Sequence, residues 1–113
     1  MYNNYSGIIF LNTRKSDAER RRMQDALEAE AARLNISVSD CIVNDENYME
    51  LLTYWIEREC IKVILLRSIK EIADTKFAQK QFLTMAAEHG VSVHSMEQGC
   101  NIAHLPWDGG FGC

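Results

Sequence analysis

The sequence of 113 residues has one proline, no low-complexity run and no long apolar stretch. Its longest unbroken apolar runs, at 8–11 and 63–66, are far too short to cross a bilayer. The N-terminus lacks the basic flank and apolar run of a secretory signal. We therefore expect no membrane partner, and we expect a single globular domain that stays in the cytoplasm.

Metal and disulfide motifs are also missing. The four cysteines, Cys41, Cys60, Cys100 and Cys113, form no C-x-x-C pair and do not stand at zinc-ligand spacing with a histidine. In a reducing compartment we expect four free thiols. The sequence thus predicts no metal and no other cofactor.

The chain carries no excess of positive charge. It has 12 basic and 16 acidic residues, for a net charge of −4. Five of the basic residues nevertheless fall between Arg14 and Arg22, in an otherwise acidic chain. Because phosphate binding depends on Lys and Arg that release counterions, we expect weak DNA binding from this single cluster.

Apolar periodicity predicts four strands and three helices in alternation. The strands are predicted at 7–11, 36–43, 61–66 and 91–96. Ser16 followed by Glu19 is the capping-box pattern and predicts the start of the first helix. Asn44 or Asp45 is expected to cap the second helix, and the third is expected from about Asp74 to His89. The apolar residues expected to face the core from this third helix are Phe77, Ala78, Phe82, Met85 and Ala86.

This alternation predicts an α/β domain with a mostly parallel sheet and helices on both faces. The interpretation is a flavodoxin-like three-layer sandwich with strand order 2-1-3-4, since the first and third strands are the most continuously apolar. We expect residues 1–98 to form the domain and 99–113 to form an irregular, glycine-rich tail. That tail contains three large apolar residues, Leu105, Trp107 and Phe111. Left exposed, they would form an apolar patch, which favours association with a partner.

The loop after the first strand carries the most specific pattern in the chain. It reads Asn12-Thr13-Arg14-Lys15-Ser16, and Arg-x-Ser at a strand-to-helix loop resembles the catalytic domain of serine recombinases, the resolvase and invertase family. The segments 63–74 and 87–97 resemble the family's third-strand segment and its last helix and strand. The resemblance covers roughly residues 7–98 and implies the family's resolvase-type catalytic-domain fold.

The resemblance implies specific roles at this loop. In the family the serine hydroxyl attacks a DNA phosphodiester and becomes linked to the phosphate, which requires a cluster of guanidinium groups. Ser16 would then be the nucleophile and Arg14 a phosphate clamp. The other residues expected around a phosphate or DNA are Lys15, Arg20, Gln24 and Arg67.

Most of the remaining cluster is missing. The family carries Asp-Arg-x-x-Arg after the third strand, and the aligned positions here are Lys70, Glu71 and Asp74. Two cations are thus replaced by anions beside a site that must hold a phosphate. Removing one preorganised donor typically costs about 10²–10³ in rate, so strand exchange is not expected.

Three functional hypotheses follow from the sequence. The favoured one is a degenerate resolvase-like domain that acts in interaction or oligomerisation, as a homo-oligomer or with a recombinase partner. The second is an active recombinase catalytic domain whose missing arginines come from a partner subunit. The third is a small phosphate-binding or anion-binding module that uses the loop 12–17 at a helix N-terminus.

Overall fold

The computed structural model describes residues 5–11, 16–43, 47–58 and 61–103. Within these ranges the strands are β1 (Tyr5–Leu11), β2 (Ile36–Val43), β3 (Val63–Leu66), β4 (Ser92–Ser95) and β5 (Cys100–Asn101). The helices are α1 (Asp17–Arg33), α2 (Tyr48–Glu57) and α3 (Lys76–Glu88), with a short 3-10 helix at Ile69–Glu71.

The described strands form one sheet with the order β2-β1-β3-β4-β5. Strands β1 to β4 are parallel, and β4 pairs with β5 in the antiparallel direction. The predicted α/β class and the predicted order of the first four strands are therefore confirmed. The fifth strand was not predicted, because two residues are too short to show a periodic pattern.

Alternate residues of the central strands face two separate cores. Ile8 and Phe10 of β1 pack in the cluster that includes Leu52 of α2 and Phe82 of α3. Ile9 and Leu11 face the opposite side, where α1 supplies Leu27, Ala31 and Leu34. Helices thus cover both faces of the sheet, as the predicted three-layer arrangement requires.

The residues at the helix ends match the sequence-based predictions after α1 and α3 but not before α2. Asn35 follows α1 with a positive φ of 63°, and Gly90 follows α3 with a φ of 71°, which is the left-handed geometry expected after a helix. Helix α2, however, is preceded by Asn47, whose side chain makes no capping hydrogen bond. The expected caps Asn44 and Asp45 lie outside the described residues.

The predicted inward face of α3 is wrong at Phe77. Its side chain is 71% exposed, the highest value among the large apolar residues that the structure describes. The buried positions of α3 are Gln79, Phe82, Leu83 and Ala86. Gln79 is accommodated because its Nε2 donates to the Ala73 carbonyl at 3.0 Å, which satisfies a buried amide and rotates Phe77 away from the sheet.

The prediction of four free thiols is also wrong. Cys41 is a free, half-buried thiol whose pKa is raised by burial and by the nearby charges of Asp40 and Glu28. Cys100, in β5, is disulfide-bonded. Spacing along the chain gave no indication of this, because disulfide geometry depends on the fold. Cys60 and Cys113 lie outside the described residues.

Two absences hold for the described ranges. None of their helices has the length and apolar character needed to cross a bilayer. No group of three or more potential ligand residues stands together as a metal site in the same ranges.

Candidate phosphate site at the carboxyl ends of the strands

Ser16 lies at the start of α1, just beyond the carboxyl end of β1. Its backbone is extended, with φ −61° and ψ 159°, and it forms the N-cap of the helix. The hydroxyl oxygen accepts the Glu19 backbone N–H at 3.3 Å. The side chain is exposed, so the hydroxyl is accessible as well as engaged in the cap. The helix cap predicted at Ser16 is therefore formed. The same hydroxyl is the one that the resemblance would make the nucleophile.

The expected cations beside Ser16 are only partly described. Arg14 and Lys15 lie outside the described residues. Arg20 is on the first turn of α1, and its guanidinium donates to the Asp17 carboxylate at 3.1 Å. Gln24 is half-buried one turn further along α1. Arg20 is thus partly neutralised within its own helix.

Arg67 follows β3, the sheet neighbour of β1, so it lies at the same edge of the sheet as Ser16. Its backbone carbonyl is fixed by the Glu97 N–H at 3.0 Å. Its guanidinium donates to Glu71 Oε2 at 3.1 Å. Arg67 also borders a small cavity of about 60 Å³ beside α1, together with Met23, Ala26, Leu27 and Met96.

Glu71 is the buried member of this ion pair. Only 7% of its side chain is exposed, against 49% for Arg67. Its second oxygen, Oε1, is buried without a hydrogen-bond partner in the described part of the chain. A buried carboxylate with one unsatisfied oxygen is costly unless a donor reaches it, so Glu71 strongly favours keeping the Arg67 guanidinium.

The other two aligned positions lie on the surface. Lys70 is exposed in the 3-10 helix, and Asp74 is exposed in the bend before α3. Within the described ranges, no hydrogen bond or ion pair joins Ser16 to Arg67 or Glu71. Arg58, a further candidate to replace the missing cations, lies over the Tyr54 ring, 4.7 Å from its centroid.

The described side chains form a helix cap at Ser16 and two local ion pairs, Arg20–Asp17 and Arg67–Glu71. The Arg67 guanidinium of the second pair is half exposed. They do not form a convergent group of cations around the Ser16 hydroxyl. A phosphoryl group in transfer carries charge on three equatorial oxygens, and proteins stabilise it with several Arg, Lys or metal contacts. The one buried charged group described at this edge, Glu71, has the sign that repels a phosphate.

Three solved structures of similar fold are serine recombinases or resolvase-family recombinases. The catalytic domain of ISC1926 TnpA, an IS607-like serine recombinase, matches with a TM-score of 0.71 and 15% identity, over 81% of this chain and 70% of that one. The N-terminal catalytic domain of TP901-1 integrase matches at 0.74 and 14%, over 88% and 83%. This chain has the fold of serine recombinase catalytic domains.

A resolvase family site-specific recombinase from Streptococcus pneumoniae has the same recombinase fold. It matches with a TM-score of 0.75 and 10% identity, over 85% of this chain and 74% of that chain. No protein-family model matches the sequence, and no curated protein matches it. Likeness at this level of identity establishes the fold and leaves the chemistry to be argued from the site.

The recombinase-like domain contains a polar cluster that the sequence did not reveal. His94 of β4 is almost fully buried, and its Nε2 lies 3.2 Å from Glu30 Oε2 on α1. Arg33 donates to both oxygens of Glu30, at 2.7 and 2.9 Å. The Arg33 hydrogen bonds lower the pKa of Glu30 to about 2, with a smaller contribution from His94. Burial lowers the pKa of His94 despite its carboxylate neighbour.

Proposed function

We propose that this chain is a degenerate resolvase-like domain that lacks strand-exchange activity and acts as an interaction or oligomerisation module. The observation that carries the proposal is the ion pair between the half-exposed Arg67 and the buried carboxylate of Glu71. Glu71 stands where the resemblance expects a guanidinium, and its carboxylate instead binds the neighbouring guanidinium at 3.1 Å. One phosphate contact is thereby replaced by an anion, and a second cation is neutralised.

Electrostatics makes this pair incompatible with an efficient phosphoryl-transfer site. To use Arg67 for a phosphate, the domain must leave the Glu71 carboxylate buried and unpaired. This is unfavourable, because a buried carboxylate that loses its partner is left uncompensated. The half-exposed position of Arg67 lowers that cost, yet a phosphate must still approach a buried negative charge.

Ser16 supports the same proposal. Its hydroxyl has a structural role that needs no DNA, since it accepts a backbone N–H at the start of α1. Neither Arg20 nor Arg67 is available to it without giving up a carboxylate partner. Of the cations described near this edge of the sheet, Arg20 and Arg67 therefore each neutralise a carboxylate instead of a phosphodiester, and Arg14 and Lys15 lie outside the described residues.

The competing hypothesis is an active recombinase catalytic domain. The fold favours it, because the similar solved structures are catalytic domains. The position of Ser16 and Arg67 at one edge of the sheet is also consistent with it. This hypothesis requires that a partner subunit supplies the missing cations and that Ser16 forms a covalent link to DNA.

Incubation with supercoiled plasmid, followed by denaturing gel analysis for a protein–DNA adduct, separates the two hypotheses. We expect no adduct from the wild-type chain. The triple variant Lys70→Asp, Glu71→Arg, Asp74→Arg restores the family pattern at these three positions. Its adduct yield is compared with that of the wild type. Ser16→Ala in both backgrounds is the matched control. A wild-type adduct that disappears in Ser16→Ala would overturn the proposal.

The proposed partners follow from the same reasoning. The domain associates with a second copy of itself or with a recombinase, and it contacts DNA weakly through the basic residues around α1. We place it in the cytoplasm with the DNA that such a partner acts on. Reducing conditions there favour opening of the Cys100 disulfide.

A further inference from the structure

The outer face of α3 presents one continuous stripe. It consists of six residues at helical spacing that line an open groove of about 440 Å³: Phe77, Lys80, Gln81, Thr84, Met85 and Glu88. A second groove, of about 240 Å³, continues it toward α2, where Met49 is 37% exposed. A 71% exposed phenylalanine at the head of such a stripe is costly in water and typical of a binding surface.

The charges of α3 oppose its own helix dipole. Lys76 and Lys80 occupy the N-terminal half, whereas Glu88 is the last residue of the helix. Cations near a helix N-terminus and anions near its C-terminus are each unfavourable, because they repel the partial charges of the helix ends. No ion pair of the described residues involves any of these three side chains. The arrangement gives the isolated helix no benefit.

The same charges are self-complementary in an antiparallel pair. A two-fold axis centred at Thr84 lies four residues from both Lys80 and Glu88, so it brings each Lys80 beside the Glu88 of the other copy. The two helix dipoles then also run in opposite directions. Thr84 is half-buried and has a small side chain, which allows the helices to approach closely at the crossing point.

We propose that the α3 stripe is a homodimer interface in which two copies of this chain pack α3 against α3 in the antiparallel direction. The inference rests on the proposed function of the chain as an oligomerisation module, and it names the surface and the partner. Met85 supplies the apolar contact beside the axis, Phe77 packs against the C-terminal end of the partner helix, and the two Lys80–Glu88 pairs set the direction of packing. An isologous interface of this kind closes at two copies.

Charge-reversal variants measured by sedimentation equilibrium test this arrangement. Lys80→Glu places Glu against Glu88 at both ends of the pair, and Glu88→Lys places Lys against Lys80. Each variant should weaken the dimer at least about tenfold, since like charges in an interface are strongly unfavourable. The double variant Lys80→Glu, Glu88→Lys should recover the wild-type dissociation constant. An equimolar mixture of the two single variants should form a heterodimer, because both of its charge pairs are attractive.

Phe77→Glu is expected to abolish the dimer without unfolding the domain, because its side chain is outside the core. Glu50→Lys, at an exposed position of α2, is the control for net charge. A dimer that survives all the α3 variants overturns the α3 interface but leaves the proposed oligomerisation role standing. A wild-type monomer at high concentration overturns the α3 interface and the self-association in the proposed function, including the case in which residues 104–113 of the same chain cover the stripe, and it leaves only association with a recombinase.

Discussion

Ser16 combines two requirements at one residue, because a helix cap and a nucleophile both need an exposed hydroxyl at the start of α1. Only the cap is accounted for by the described contacts. We expect Ser16→Ala to lower the free energy of unfolding by about 0.5–2 kcal/mol, the usual range for loss of a cap. Urea denaturation measures this change.

Ser16→Asp is the matched control, because aspartate caps a helix equally well and has no hydroxyl. We expect it to keep the stability of the wild type. Equal destabilisation by Ala and Asp, or no loss of stability in Ser16→Ala, would contradict the role assigned to the cap.

Glu30 and His94 make stability depend on pH. Both have a pKa below the usual value in the folded state, from 4.5 to about 2 for Glu30 and below 6.5 for His94. The unfolded chain therefore binds protons more readily, and stability is lost as the pH falls. We expect the free energy of unfolding to decrease below about pH 6.5 and again between pH 4.5 and 2.

Urea denaturation across this pH range, with His94→Gln and Glu30→Gln, checks the assignment. His94→Gln should remove the decrease near pH 6.5, because the buried group no longer titrates. Glu30→Gln should remove the decrease at lower pH. His89→Gln, at the residue that follows α3, serves as the matched histidine variant. If all three variants keep the wild-type profile, the buried cluster does not set the pH dependence.

Sequence reasoning at the residue scale succeeds where partners are local. The Ser16 cap involves a residue three positions away, and the pattern predicted it correctly. Glu30 and His94 are 64 positions apart and meet only because α1 packs on the face of the sheet formed by β1 and β3, next to β4. The Arg67–Glu71 bond joins residues only four positions apart, yet the burial of the Glu71 carboxylate depends on the fold and was not predicted.

At the scale of the elements, Gly7 of β1 lies where the backbone of β1 comes close to β3. A Cβ at this position would lie 2.8 Å from Ile36 Cγ2 and 2.9 Å from the Val63 carbonyl oxygen. The backbone oxygen cannot move without disturbing β3. We expect Gly7→Ala to destabilise the fold by about 1–3 kcal/mol, as overpacking in a core does.

Thermal and urea denaturation measure this effect, with Ser6→Ala as the control. Ser6 is the preceding residue of β1 and is exposed, so its substitution should change stability by no more than about 0.5 kcal/mol. Comparable loss in both variants would show that the region 6–7 tolerates little change for a reason other than the contacts of Gly7.

Elements with long, regular patterns were predictable. The apolar runs of β1 and β3 gave their central position, and the mixed pattern of β2 gave its place at the edge. The α3 face was wrong because two overlapping helical stripes fit its sequence, one with Phe77 and one with Gln79. Periodicity favours the apolar choice, whereas the hydrogen bond of Gln79 to Ala73 selects the other.

At the scale of the whole molecule, fold and charge point to different conclusions. The fold is that of serine recombinase catalytic domains. The net charge of −4 and the buried Glu71 oppose DNA binding. A fold persists as long as its core is kept, while a phosphate site is lost with a few charge changes.

The most direct test is the affinity of the chain for labelled duplex DNA, measured by fluorescence anisotropy over a range of salt concentrations. Glu71→Gln keeps the shape of the side chain and removes the charge that holds Arg67. Glu57→Gln removes the same charge from an exposed position of α2 and is the matched control. The wild type should bind weakly and lose its affinity near physiological salt.

At low salt, Glu71→Gln should bind about tenfold more tightly, because a charge-assisted hydrogen bond contributes roughly 1.5–3 kcal/mol and each 1.4 kcal/mol is a factor of ten. Glu57→Gln should stay at the wild-type value. Tight, sequence-specific binding by the wild type, or an equal gain in both variants, would contradict the claim that Glu71 disables the phosphate site.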